Sequence, residues 1–307
     1  MDLELSDDQV ALRDGIAALL AGRFDSTRIR RGFDRTTWDE LGAAGVFSLG
    51  ADGFGWADRV VVFEQLGTAC VPGPLVAGSL AHGLLEGVVG GVDRPAHARE
   101  VTFVEHLHAL DHLLVLERDG VFAVDAHAIE GELSKWPLDP LTPVTRVTKL
   151  AVGERLGGPE LAREWTRHGA ALTAAFALGL AQRCTDLAVE YAATREQFDR
   201  PIGSFQAIKH LLADMLVRTE VARAAVYAAG AHLDDADHPG LDRAIAGAKV
   251  LAGEAAVANG KAATQVFGGM GFTWEVDVHL YLKRAWVLDT HFGSVDAHCD
   301  SLASAPV

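Results

Sequence analysis

The chain has 307 residues, 49% of them hydrophobic and 22% charged, with a formal net charge of −15. That apolar share supplies a large buried core and argues against disorder, and the length predicts one large or two modest domains. The acidity disfavours nucleic acid and anionic membrane surfaces as partners, because both repel an acidic body, although a local basic pocket would suffice for a phosphate-rich ligand.

Cys70, Cys184 and Cys299 are odd in number, far apart and without metal-ligand spacing, so no disulfide framework or zinc site follows. The acidic start MDLELSDDQV has no apolar signal core, and no run reaches the length of a membrane span. The expectation is a soluble, cytoplasmic protein.

Helical signals dominate the first part. Ser6 followed by Asp7 and Asp8 reads as an N-cap with acidic first-turn residues, opening a helix through about residue 22. Thr37-Trp38-Asp39-Glu40-Leu41 is a second capped start, stopping at Gly45. A third helix runs through Arg59–Leu66 and ends at Gly67. Pro72 and Pro74 break the chain before a fourth near 75–88.

The texture changes from about 99 to 153. The short apolar runs 101–104, 113–116 and 121–124 are split by turn pairs, and Asp119-Gly120 between two of them signals a hairpin. This is a small β region, too short for a full barrel. Long helical patterns follow at about 160–195, 204–232, 241–267 and 276–290. The Leu172, Phe176, Leu180 and Leu187 stripe suits helices packing on one another. The fold class is therefore mainly α: an N-terminal helical domain (1–98), a shortened β region (99–153) and a C-terminal four-helix bundle (154–307).

Two segments carry chemistry. Arg195 closes a long helix, Pro201-Ile202-Gly203 forces a turn, and Phe205-Gln206 opens the next helix. An arginine, an aromatic such as Phe198 and a glutamine at such a corner can bind a diphosphate and stack a base. The same Arg195 can equally complement the helix dipole, with Phe198 packed as a staple. The second segment, Gln265 to Gly271, has the form QxFGGxG. Gly268, Gly269 and Gly271 admit a close approach to the backbone, or simply end the helix.

Together and in this order, REQFDRPIGSFQAIKHLLADM (195–215) and QVFGGMGFTWE (265–275) closely resemble the C-terminal domain of acyl-CoA dehydrogenases. WDELGAAGVF (38–47) and FEQLGTACVPGPL (63–75) are similar to that family's N-terminal helices, so the resemblance covers most of the chain. Asp199 departs from the family's usual glycine. The resemblance implies an acyl-CoA dehydrogenase-like fold and FAD shared across a subunit interface. Arg195, Phe198, Gln206, Gln265, Gly268 and Gly269 would then hold the ADP portion bound in a neighbour.

The resemblance also exposes losses. The family's proton-abstracting glutamate sits in a motif that aligns with His291-Phe292-Gly293-Ser294, so Phe292 replaces it. The alternative base position, about twenty-six residues before the arginine, is Gly169. Neither residue can take an α-proton from a thioester. Asp289, His291 and Asp296 read as solvated surface residues. The family's TEP-like loop and the strand that flanks the flavin ring have no counterpart in 99–153.

The resemblance therefore implies one subunit of a heteromeric enzyme that desaturates an acyl-CoA. A full-length homologous partner, in an α2β2 assembly, would supply the base and the ring half of the FAD site. Such split enzymes resemble those of actinobacterial steroid and cholesterol catabolism. Two alternatives stand beside it: an inactive scaffold for a partner dehydrogenase, and a homo-oligomeric flavoenzyme with a relocated base. The thirteen histidines form no cluster at metal spacing. His279 reads as a surface or interface residue, and Lys283 and Arg284 as capping or salt-bridging residues.

Overall fold

The computed structural model describes residues 4–93, 101–151, 153–235 and 237–304. The expected 98/99 domain boundary and the first three residues of the acidic start lie outside these.

Five helices come first: α1 (Asp7–Arg23), α2 (Ser26–Arg30), α3 (Arg35–Ala43), α4 (Trp56–Thr68) and α5 (Leu75–Ala81). Ser6 caps α1 in a reciprocal box, its hydroxyl accepting from the Gln9 amide while the Gln9 side chain accepts from the Ser6 amide. α3 begins earlier than its Thr37 signal suggested. Its cap is Asp34, whose carboxylate accepts from the Thr37 amide at 2.7 Å. α5 is shorter than expected, and the chain reaches Gly83 at φ +82° soon after it.

Seven strands follow: β1 (Val89–Asp93), β2 (Thr102–Glu105), β3 (His112–Glu117), β4 (Gly120–Asp125), β5 (Glu132–Leu133), β6 (Val144–Val147) and β7 (Glu154–Gly157). They build a four-stranded sheet, β1-β3-β4-β7, and a three-stranded one, β2-β6-β5. The Asp119-Gly120 turn joins β3 to β4 as the sequence indicated, with Glu117 opposite Gly120. Strands β1 and β7 fall on either side of the 99–153 span. β1 escaped notice because Gly90 and Gly91 interrupt its apolar pattern.

The remainder is helical: α6 (Pro159–Thr194), a small hairpin of β8 (Glu196–Gln197) and β9 (Arg200–Pro201), then α7 (Gln206–Leu233), α8 (Leu241–Phe267), α9 (Val278–Leu288) and α10 (Val295–Ser304). At 36 residues α6 spans about 54 Å and forms the axis of the molecule. It packs on α4, α7, α8 and α9. The α4–α6 crossing is a backbone contact. A Cβ on Gly67 would overlap the Phe176 carbonyl oxygen, and one on Gly179 would overlap that of Glu64.

Leu172, Phe176 and Leu180 are buried, as their spacing predicted, whereas Leu187 is only partly covered. Fully buried Asn259 on α8 ties three helices. Its Nδ2 donates to the Met215 carbonyl at 3.0 Å and the Thr219 hydroxyl at 2.9 Å on α7, and to the Thr185 hydroxyl at 3.2 Å on α6. All three cysteines are free thiols, Cys70 and Cys184 buried and Cys299 exposed. Among the described residues, no helix is long and apolar enough to cross a membrane.

Candidate functional site

The two glycine- and arginine-bearing segments meet at the C-terminal ends of α6 and α8. Tyr191, one turn before Arg195, stacks on Phe267 with ring centroids 4.2 Å apart, and its hydroxyl reaches Met270 Sδ at 3.9 Å. This contact brings Arg195 and the Gly268 turn to one edge of the bundle, a juxtaposition that seventy residues of separation concealed. The Arg195 carbonyl then accepts from the Ile202 amide at 2.8 Å, which folds β9 back beside β8. Phe198 and Asp199, at φ +54° and +61°, form the tip of that hairpin.

Arg195, Phe198, Gln206, Gln265, Gly268 and Gly269 are all exposed. Phe198 retains 86% of its accessible surface and its ring meets that of Phe205 edge-on at 6.2 Å, so it is not a packed staple. Among the described residues the Arg195 guanidinium has neither ion pair nor side-chain hydrogen bond. Gly268 has φ +63°, and a Cβ on Gly268 or Gly269 would meet nothing within 4 Å. An unpaired, exposed cation and two bare, solvent-facing glycines at one edge of the bundle have the chemistry to meet a phosphate-bearing group.

The other half of the picture lies at the far end of α6. Gly169 faces Phe292, and a Cβ at Gly169 would overlap Cδ1 and Cε1 of the Phe292 ring. The two positions that sequence reasoning linked separately to a base therefore touch, and hydrocarbon fills the space between them. Phe292 is buried and sits at φ +53°, with the left-handed turn continued by Gly293 at φ +92°.

Phe292 borders a cavity of about 440 Å³ between α5, the strands, α6 and the end of α9. Its polar lining includes Asp93, Glu105, His106, Asp139, Arg284 and His291. His291 is not a solvated surface residue. Its Nε2 meets Glu105 Oε1 at 2.8 Å, with each side chain about three-quarters covered. Burial alone would raise the Glu105 carboxyl, but the charge and hydrogen bond of His291 hold it below the usual carboxylate range. Asp289 caps the next helix, accepting from the Val295 amide at 3.2 Å.

Arg284 salt-bridges rather than facing solvent. Its Nε donates to Asp139 Oδ2 at 2.6 Å, with both side chains almost fully buried. Asp139 also accepts from the Leu141 amide and the Thr142 hydroxyl, which locks the loop into the site. Burial works against the guanidinium's charge, and Asp139 more than offsets it, so the Arg284 pKa rises. His279 is buried beneath Trp274, edge-on at 5.2 Å, which corrects its reading as a surface residue.

Glu105, His106 and Asp139 escaped sequence reasoning. The only signal was a polar pair closing an apolar strand and an aspartate in a turn-rich loop, patterns that surface residues share.

The family model for the acyl-CoA dehydrogenase C-terminal domain matches residues 157–305. Acyl-CoA dehydrogenase IpdE2 of Mycobacterium tuberculosis is 34% identical over 302 residues, covering 91% of each chain. The chain belongs to the acyl-CoA dehydrogenase family. Its fold matches a chain of the ChsE4-ChsE5 complex of Mycobacterium tuberculosis over the full length of both, at a TM-score of 0.84 and 23% identity. It also matches a Tcur3481-Tcur3483 steroid ACAD variant at a TM-score of 0.82 and 20% identity, over 97% of each chain. The first of these solved structures is a complex.

Proposed function

We propose that this chain is one subunit of a heteromeric, FAD-dependent acyl-CoA dehydrogenase that introduces an α,β double bond into an acyl-CoA. Its role is to hold the ADP side of FAD at the interface, through Arg195, Phe198, Gln206, Gln265, Gly268 and Gly269. A homologous, full-length partner supplies the carboxylate base and the wall beside the flavin ring, in an α2β2 assembly. The observation that carries this reading is the contrast between two ends of one helix. The phosphate-suited cluster is intact and faces outward, while the base positions Gly169 and Phe292 close on each other.

Bound FAD would supply the acceptor for the hydride lost from the acyl β-carbon. This chain's own residues do something simpler. Arg195 neutralises pyrophosphate charge, the glycine turn presents backbone amides, and Phe198 offers an aromatic face. The acyl-CoA dehydrogenase IpdE2 and the steroid ACAD among the structural relatives support an acyl-CoA substrate with a steroid-derived acyl group.

A second reading has one observation in its favour. Glu105 places a carboxylate in the cavity that Phe292 borders, which would suit a self-sufficient flavoenzyme with a relocated base. Its pairing with His291 and lowered pKa make it a weak base, so the split enzyme is preferred. Co-expression with a full-length homologue separates the two. The split site requires yellow, active protein only when both chains are present, and loss of most bound flavin from the Arg195→Ala complex. Yellow, active protein from this chain alone would establish the second reading, and full flavin occupancy in the Arg195→Ala complex would reduce the chain to a scaffold.

A further inference from the structure

The phosphate-suited edge is built from two elements that reach it separately. Arg195 leaves the C-terminus of α6, and the Gly268–Gly269 turn leaves the C-terminus of α8. Helix C-termini carry partial negative charge and do not by themselves attract a phosphate. A diphosphate is favoured at this edge only where the Arg195 cation and the exposed glycine turn meet it together.

Each segment is braced on its own side. The Arg195 amide donates to the Tyr191 carbonyl at 2.8 Å, and the Arg195 carbonyl accepts from the Ile202 amide at 2.8 Å. Gly203 lies so close to α6 that a Cβ there would come within 2.9 Å of the Ala192 carbonyl oxygen. On the other side, Gly268 turns the chain out of α8 at φ +63° and ψ −140°, a conformation open almost exclusively to glycine. A Cβ on Gly271 would come within 2.6 Å of the Thr264 carbonyl oxygen. The Met270 carbonyl accepts from the Thr273 amide at 2.8 Å and from its hydroxyl at 2.9 Å.

Tyr191 links the two. Its ring lies over Phe267, the last residue of α8, with 4.2 Å between centroids and 16° between planes. Its hydroxyl donates to Met270 Sδ at 3.9 Å, inside the glycine turn. One side chain therefore touches the residue before Gly268 and the residue after Gly269, while its own backbone carbonyl holds Arg195. Phe267 is buried, so the stack is anchored from the α8 side. Two contact points on different helices add affinity only when they are already spaced for the ligand.

We propose that Tyr191 and Phe267 are positioning residues for the ADP side of FAD, their stack fixing the Arg195 cation relative to the Gly268–Gly269 turn. This role presupposes that the Arg195 edge holds the ADP portion of a shared FAD.

The test uses the purified complex with a full-length homologous partner, stripped of flavin and titrated with FAD by flavin fluorescence. Tyr191→Leu should weaken FAD binding by about tenfold, whereas Tyr191→Phe, which keeps the stack, should stay within about threefold of the native complex. Phe267→Leu breaks the stack from α8 and should match Tyr191→Leu, for which it stands in should that variant not fold. A merely structural stack would weaken binding independently of Arg195, so coupling is the decisive readout. Tyr191→Leu added to Arg195→Ala should cost less than about threefold beyond Arg195→Ala alone. Losses that multiply in the double variant, a loss under about threefold from both leucine variants, or an equal loss from Tyr191→Phe would each overturn the positioning role. Native FAD affinity in the Arg195→Ala complex would instead bring down the shared-flavin reading itself, and the positioning role with it.

Discussion

The contact between Gly169 and Phe292 predicts a reversal of sign that can be measured. Gly169 lies inside α6, where alanine in place of glycine gains about 1 kcal/mol of helix propensity. Here the added methyl would overlap two ring carbons of Phe292. Overpacking of this kind costs about 1–3 kcal/mol. The penalty is limited by expelling the ring altogether, which forfeits about 1.5–3 kcal/mol of buried aromatic surface. Gly169→Ala should therefore be neutral to destabilising by about 2 kcal/mol in the native background, despite the better helix former. Phe292→Ala alone removes a buried ring and should cost about 3–5 kcal/mol. In that background the methyl has room, and Gly169→Ala should stabilise by about 1 kcal/mol.

The double-mutant cycle thus carries an interaction energy of about 1–3 kcal/mol, the double variant being more stable than the sum of its singles predicts. Urea denaturation of the four proteins, in the same assembly and at one protein concentration, reads it directly. Additivity to within about 0.5 kcal/mol would show that positions 169 and 292 do not touch, and the account of a hydrocarbon-filled space would fail with it.

Two further perturbations probe the buried charges. Arg284→Met leaves the Asp139 carboxylate buried without its cation and should destabilise by about 3–5 kcal/mol, whereas pairing it with Asp139→Leu should restore most of the loss. A double variant as unstable as the single, by urea midpoint, would refute the pairing. His106 and His168 titrate low, at about 4 and about 3 against an ordinary 6.5, chiefly because burial disfavours their charged forms. The unfolded chain therefore binds more protons between pH 6.5 and about 4, so stability falls as the pH drops through that window, by roughly 3 kcal/mol for His106. Glu105, Asp34 and Asp111 have lowered carboxyls whose contribution is lost only at still lower pH, so they do not mask it. Replacing His168, stacked on Trp56, by phenylalanine should reduce the fall of the urea midpoint between pH 6.5 and 4.5 by about half, His106 supplying the remainder. An unchanged slope would show that His168 is not buried neutral.

Much of this molecule was legible before folding. The capping residues and apolar stripes located the long helices to within a few residues, because their signals are local: a hydroxyl, carboxylate or glycine acts on the nearest turn. The α3 cap was misplaced by three residues because Thr37 and Asp34 are both competent caps, and only the hydrogen bond from the Thr37 amide distinguishes them. Strand β1 was missed because its partner, β3, lies some twenty residues away and its two glycines carry no pattern.

The site divides along the same line. The sequence alone determined the family resemblance, the Arg195 and Gly268 segments, and the absence of a carboxylate at positions 169 and 292, since these depend on residue identity and spacing. Only the tertiary structure decided that the two segments share an edge through the Tyr191–Phe267 stack, and that Phe292 occupies the space above Gly169. It alone paired His291 with Glu105 and Arg284 with Asp139, partners 186 and 145 residues apart. Such pairings arise where Arg284 on α9 and His291 in the turn beyond it meet residues of the β region, and no local pattern encodes a contact whose energy is realised only when distant surfaces leave water together.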